Sequence, residues 1–299
     1  MENDRFDSPY LIFTADLAGR LAAPNLRIFD CTQRLVPDPA LYVKAEPCQA
    51  EFDAAHIPGA GYLDLKGELS DPESRWRYKM PAAERVAAAF GRRGVGDGAQ
   101  VVLYDQGGMM WATRIWWMLR AIGFDDAAVL DGGLPAWKAD SRPLSTAPCA
   151  YAETSPPTVN ERPGLLVGKD AVLAALDAPA TSVVNALTAE QHAGGGITYG
   201  RPGRISGTVG VAARELTDPE TGCLLAASRL RAKFADAGVD PSRPVLCYCG
   251  GGIAATLDAF VLTLMGAETV SVYDNSLQEW ALDPSLPMET DEPPHLGRW

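Results

Sequence analysis

The chain has 299 residues, 47% of them hydrophobic, and a formal net charge of -12. That length suits about two domains with real apolar cores. The negative charge speaks against nucleic acid and anionic membrane as partners, and no apolar run approaches the roughly 20 residues of a membrane span.

In chain order, the opening "MENDRFDSPYLIF" is acidic and polar and does not read as a signal peptide. Short β-rich stretches follow, "RIFDCT" from 27 and "HIPGA" from 56. Residues 101–137 carry a fuller unit. An apolar run ends at Tyr104, a glycine turn leads into a helix-period segment stopping at Gly123, and a second apolar run reaches Asp131 before Trp137. Residues 144–164, "LSTAPCAYAETSPPTVNERPG", have the composition of an exposed linker. Then the order returns. "SVVNAL" from 182 answers "RIFDCT", and "RISGT" from 204 answers "HIPGA". Residues 245–280 repeat the tyrosine at Tyr248, the glycine loop, the helix stop at Gly266, Asp274 and Trp280. The chain therefore reads as two copies of one α/β unit, over 1–145 and 165–299, joined by a linker at 146–164. Strands alternating with helices imply, in each copy, a mainly parallel sheet with helices on both faces. Ligands of such sheets sit at the carboxyl ends of the strands.

Six cysteines, at 31, 48, 149, 223, 247 and 249, and three histidines, at 56, 192 and 295, fall in no zinc spacing. In a long chain without a signal, the expectation is reduced thiols in a cytoplasmic protein and no metal.

The stretch "VLCYCGGGIAATLDAF" from 245 sets Cys249 against three consecutive glycines where a strand should become a helix. Glycine costs backbone entropy on folding, so three in a row need a use. Suppose residues 249–254 curl into a cup before a helix over 255–265. The amides of Gly250, Gly251, Gly252, Ile253 and Ala254 then turn inward as an anion nest, backed by the partial positive charge of the helix start. A thiol at the centre titrates below its ordinary range and is an activated nucleophile that needs no histidine base. The same amides hold an anionic sulfur bound to that cysteine.

Three other readings compete. Cys249 can be a small buried hydrophobe, the role that suits Cys247 within the strand. "GGGIAA" matches the dinucleotide pattern G-x-G-x-x-A, with Asp274 as the ribose-binding acid. Against this, the motif lies in the last fifth of the chain, and its repeat partner "DQGGMMWA" does not keep the pattern. A cysteine phosphatase is rejected, because the arginine needed six positions after the nucleophile is Ala255.

Seven segments together resemble the tandem-domain rhodanese family, the thiosulfate and 3-mercaptopyruvate sulfurtransferases. They are "HIPGA", "LYD" at 103–105, "WWMLRAIG" at 116–123, "VLDGGLPAW" at 129–137, "YGRPGRISGTV" at 199–209, "YCGGGIAA" at 248–255 and "EWALDPSLPMET" at 279–290. The resemblance implies two tandem rhodanese-like domains, of which only the second is catalytic, with Asp105 standing opposite Cys249. It implies that Cys249 takes sulfur from a small anionic donor and holds it as a persulfide. The acceptor is then a small thiol, a thioredoxin-like protein or cyanide, and no metal or organic cofactor is needed. Mercaptopyruvate enzymes of the family usually read Cys-Gly-Ser-Gly-Val-Thr in the loop, and thiosulfate enzymes Cys-Arg-Lys-Gly-Val-Thr. This chain reads Cys-Gly-Gly-Gly-Ile-Ala, closer to the first but without its serine.

Asn185 stands where an aspartate is common, and Leu187 and Gln191 where arginines often stand. Arg201 and Arg204 are expected to hold the donor's carboxylate or sulfonate, with Arg77 a further candidate from the first domain. His56 is a candidate for proton transfer, although this motif's histidine is more often a structural hydrogen-bonder. Trp111, Trp116, Trp117 and Trp137 are expected in the core and domain interface. A dinucleotide-binding oxidoreductase and a non-catalytic binding module are the alternative functions.

Overall fold

The computed structural model of the protein describes residues 4–38, 42–196 and 199–291; His295 lies outside them. The first copy comprises β1 (Leu11–Ile12), α1 (Thr14–Ala18), β2 (Leu26–Asp30), β3 (Gln33–Asp38), β4 (Tyr42–Pro47), α2 (Gln49–Ala54), β5 (Ala60–Tyr62), α3 (Ala83–Arg92), β6 (Gln100–Tyr104), α4 (Met110–Ala121), β7 (Ala127–Leu130) and α5 (Gly133–Ala139). The second comprises β8 (Leu166–Val167), α6 (Lys169–Leu176), β9 (Ser182–Asn185), α7 (Ala189–Ala193), β10 (Arg204–Ile205), β11 (Val209–Gly210), a 3₁₀ turn (Ala213–Glu215), α8 (Ala227–Asp236), β12 (Val245–Tyr248), α9 (Ala254–Leu264), β13 (Val270–Tyr273), α10 (Ser276–Trp280) and β14 (Met288–Glu289).

The two main sheets run β1-β7-β6-β2-β5 and β8-β13-β12-β9-β11, and every pairing in them is parallel. The spatial order is the same in both, so the repeat read from the sequence is a repeat of topology. The antiparallel hairpin β3–β4 is an addition of the first copy among the described residues. Side chains alternate along each central strand, as the period of two requires. Val101 and Leu103 enter one core, and Val102 and Tyr104 another. In β12, Val245 and Cys247 enter the first of these cores while Leu246 and Tyr248 enter a third. Both faces of each sheet are thus covered, the condition under which parallel sheets occur.

The shared core lies between the sheets, where α4 meets α9. Trp116 sets its ring edge-on to Phe260 at 4.8 Å, and the Thr113 and Thr256 hydroxyls are 3.1 Å apart. Repeat-equivalent polar groups do equivalent work. Tyr104 Oη accepts from the Ile57 amide and Tyr248 Oη from the Ile205 amide. Asp131 accepts the Leu224 N–H at 2.8 Å and Asp274 the Met80 N–H at 2.9 Å, each from the opposite copy.

The segment expected to be an exposed linker is largely exposed, and it is strapped to the first copy. The amides of Thr154, Asn160 and Arg162 donate to the carbonyls of Gly91, Ile122 and Ala121, and Tyr151 Oη accepts from the Ile28 amide at 2.9 Å.

Candidate active site

Cys249 follows β12 directly, at the carboxyl edge of the second sheet, and is 3% exposed. Its own amide donates to Ser276 Oγ at 3.1 Å. Four of the loop's carbonyls are held by hydrogen bonds within the protein. Those of Cys249 and Gly250 accept from the Leu277 and Gln278 amides at 3.1 and 2.9 Å. That of Gly252 accepts from Arg114 at 3.3 Å, and that of Ile253 from the Thr256 amide and hydroxyl. Among the described residues, the amides from 250 to 255 have no protein acceptor. The loop therefore presents N–H dipoles beside Cys249 at the start of an eleven-residue helix, an arrangement that suits an anion.

The three glycines have different reasons. Gly252 has φ +76°, a left-handed conformation, and a Cβ there would overlap the Asp274 carbonyl oxygen. Gly250 does not have a left-handed φ, but a Cβ there would fall within the Tyr199 ring, against Cζ and Oη. Gly251 has room, with the nearest atom to an added Cβ being Gln278 Nε2 at 3.5 Å.

In the first copy the same cup is filled from within. Asp105, in the place of Cys249, accepts amides from Gly107 at 3.0 Å, Met109 at 3.1 Å, Trp111 at 3.1 Å and Ala112 at 3.3 Å. Burial pushes its carboxyl up to about 6 against the pull of these amides. A carboxylate of the protein thus occupies the position where the second copy carries a thiol and unpaired amides. Cys247, fully buried in the strand, is the packing cysteine, and burial raises its thiol well above the ordinary range.

A cavity of about 290 Å³ opens on Cys249, Gly250, Gly251, Ile253 and Ala254. Its walls come from both copies: Leu35, Tyr78 and Trp111 from the first, Leu187 and Tyr199 from the second. Two cations line it, Arg77 and Arg214. Arg214 is exposed and has no acidic partner among the described residues. A second hollow, of about 360 Å³, lies in the first copy at the opposite strand ends, beside Gln100 and Ala127, and no cysteine lines it.

The structure does not bring Arg201 or Arg204 to this cavity. The Arg201 guanidinium binds the carbonyls of Trp280, Ala281, Asp283 and Leu286. Arg204 is held by Glu289 at 3.0 Å, Asp291 at 2.7 Å and the His192 carbonyl. His56 is structural: Nδ1 lies 2.7 Å from the Phe52 carbonyl, Nε2 lies 3.0 Å from that of Ala147, and the ring stacks on Phe52. Trp116, Trp117 and Trp137 are core residues as expected, while Trp111 is also cavity wall.

The dinucleotide alternative fails on Asp274. Its carboxylate is 2.7 Å from buried Arg114 and also accepts the Met80 amide, so no ribose can use it. Arg114 itself was missed in the sequence, as were Tyr199 and Arg214. From the first copy Arg114 ties the Gly252 carbonyl, the Tyr78 carbonyl and Asp274 together. Its only sequence signal is a charge within the apolar run "MWATRIWWM".

Comparison with known proteins agrees with this architecture. The family described as Rhodanese-like domain matches residues 14–140 and 170–283. The chain is 30% identical over 302 residues to thiosulfate/3-mercaptopyruvate sulfurtransferase 1, mitochondrial, of Arabidopsis thaliana, across 92% of this chain and 77% of that one. It is 30% identical over 286 residues to 3-mercaptopyruvate sulfurtransferase of Escherichia coli K12, across 91% and 95% of the two chains. The crystal structure of SseA from Escherichia coli superposes with a TM-score of 0.79 at 26% identity, covering 90% of this chain and 99% of that one.

Proposed function

Since the chain belongs to the tandem-domain rhodanese family and is a sulfurtransferase, we propose that Cys249 carries sulfur as a persulfide between a small anionic donor and a thiol or cyanide. The observation that carries this reading is the pair of loops. Of the four amides that grip the Asp105 carboxylate in one copy, the counterparts of three, at Gly251, Ile253 and Ala255, have no protein acceptor beside Cys249 in the other among the described residues, while the fourth, at Thr256, bonds the Ile253 carbonyl. The Cys249 thiolate attacks the donor's sulfur. With 3-mercaptopyruvate the carbon–sulfur bond breaks, its electron pair stays on carbon, and a proton completes pyruvate. The acceptor thiolate then attacks the outer sulfur, and the sulfur–sulfur bond breaks to return the Cys249 thiolate.

Of the two donors, 3-mercaptopyruvate fits better than thiosulfate. The loop has no basic side chain for a dianion, whereas Arg77 and Arg214 on the cavity wall suit a single carboxylate. Incubation with either donor followed by intact mass tests the proposal. The expected result is a gain of one sulfur atom, absent in Cys249→Ser, with a higher kcat/KM for 3-mercaptopyruvate. A protein that gains sulfur from neither donor, or gains it without Cys249, would overturn the persulfide. A preference for thiosulfate would overturn the donor.

A further inference from the structure

Tyr199 is the tyrosine of the buried site that has no job in the fold. The hydroxyls of Tyr62, Tyr78, Tyr104, Tyr151, Tyr248 and Tyr273 each bind a protein atom. The Tyr199 hydroxyl has no hydrogen-bond partner among the described residues, and its side chain lines the cavity that opens on Cys249. Its position is fixed by contact with the loop. The ring lies so close over Gly250 that any side chain there would collide with Cζ and Oη. Because Gly250 does not have a left-handed φ, the ring and not the backbone makes that residue a glycine.

We propose that the Tyr199 hydroxyl donates a hydrogen bond to the outer sulfur of the Cys249 persulfide. This rests on the persulfide reading above. No hydrogen bond joins the hydroxyl to Cys249 Sγ in the unmodified protein. The outer sulfur stands one sulfur–sulfur bond, about 2.0 Å, beyond Sγ, in the cavity that Tyr199 borders. The contact is therefore made with the sulfur-loaded state and not with the bare thiol, which is the condition for favouring an intermediate selectively. Burial first, and then the charge of Cys249, push the phenol up to about 12, with Arg77 opposing. It stays protonated at neutral pH and so acts as a donor. The step is a hydrogen bond only; no bond order, electron count or proton ownership changes.

The test uses the full chain and its persulfidation equilibrium, read by intact mass at fixed ratios of 3-mercaptopyruvate to pyruvate. Tyr199→Phe keeps the ring on Gly250 and removes only the hydroxyl. A hydrogen bond to a charged acceptor predicts an equilibrium constant for persulfide formation about 10- to 100-fold lower. Melting temperature and donor KM should be close to wild type, a split that a purely structural role does not give. Gly250→Ala, which displaces the ring, should lower the equilibrium constant similarly, and the double variant should go no lower. An equilibrium constant within twofold of wild type in Tyr199→Phe would overturn the role of the hydroxyl while leaving the persulfide standing. A wild-type protein that gains no sulfur would remove the persulfide itself, and with it any partner for Tyr199.

Discussion

Placing alanine at each of the three glycines separates their roles. At Gly251 the backbone accepts an L side chain and the nearest atom is 3.5 Å from the new Cβ. Alanine there restricts the unfolded chain and should stabilise by about 0.4–1 kcal/mol. Serine fits the same space and would place a hydroxyl where mercaptopyruvate-type loops carry one. At Gly250 the obstacle is the far end of the Tyr199 side chain, which can swing away. The cost is part of the ring's burial, about 1–2 kcal/mol. At Gly252 the left-handed φ costs about 1–2 kcal/mol, and the obstacle is the Asp274 backbone, which cannot rotate aside. Moving packed backbone adds about 1–3 kcal/mol. Urea unfolding should therefore rank the proteins Gly251→Ala, wild type, Gly250→Ala, Gly252→Ala, from most to least stable. Equal losses at Gly251 and Gly252 would refute the assignment of separate causes to the glycines.

Two further perturbations probe the helices that meet between the copies. Arg114→Met leaves Asp274 charged and two carbonyls unpaired in the interface, and should cost about 3–5 kcal/mol in denaturant unfolding. Adding Asp274→Leu should recover part of that loss, since the stranded charge goes too; no recovery would mean the pair was not coupled. Asp258, in α9, is fully buried with neither carboxylate oxygen hydrogen-bonded among the described residues. Burial raises its pKa well above the ordinary value. The folded state thus favours the protonated form, and stability is fully present below the unfolded pKa and lost as pH rises toward the folded one. Asp258→Asn removes this linkage, so its melting temperature relative to wild type should rise between pH 4 and 8; a constant difference would contradict it.

The repeat was legible because it is written in local signals. Apolar strings ending in Tyr104 and Tyr248, and helix stops at Gly123 and Gly266 with φ of +92° and +91°, need no distant partner to be recognised. Cys249 was legible for the same reason, since a strand, three glycines and a helix are contiguous. Arginine destinations were not. Arg201 is drawn to four carbonyls lying 79 to 85 residues further on, and no pattern around "YGRPGRI" reveals them. Asp274 was ambiguous for a related reason. An acid at a strand end can face a ribose or an ion-pair partner, and the partner, Arg114, belongs to the other copy. The Tyr199 contact shows the reverse case: the glycine was visible in the sequence, while its cause came from a loop folded over it.

If Cys249 carries the sulfur as proposed, the exchange of Cys249 for Asp105 accounts for a first copy that acts as a partner rather than as a second centre. A cup whose amides are already bonded to its own carboxylate has no room for a charged sulfur. What that copy contributes is rigidity and enclosure. Arg114 fixes the Gly252 carbonyl outward, the Arg77 backbone and the Gln278 amide bind one another in both directions, and Leu35, Tyr78 and Trp111 wall the cavity. Each of these acts on the loop or its surroundings from outside the second copy. Without Arg114 the Gly252 carbonyl is free to turn toward Cys249, where its partial negative charge would oppose an anionic sulfur. On the persulfide proposal, the second copy holds the reacting group and the first braces the loop that surrounds it.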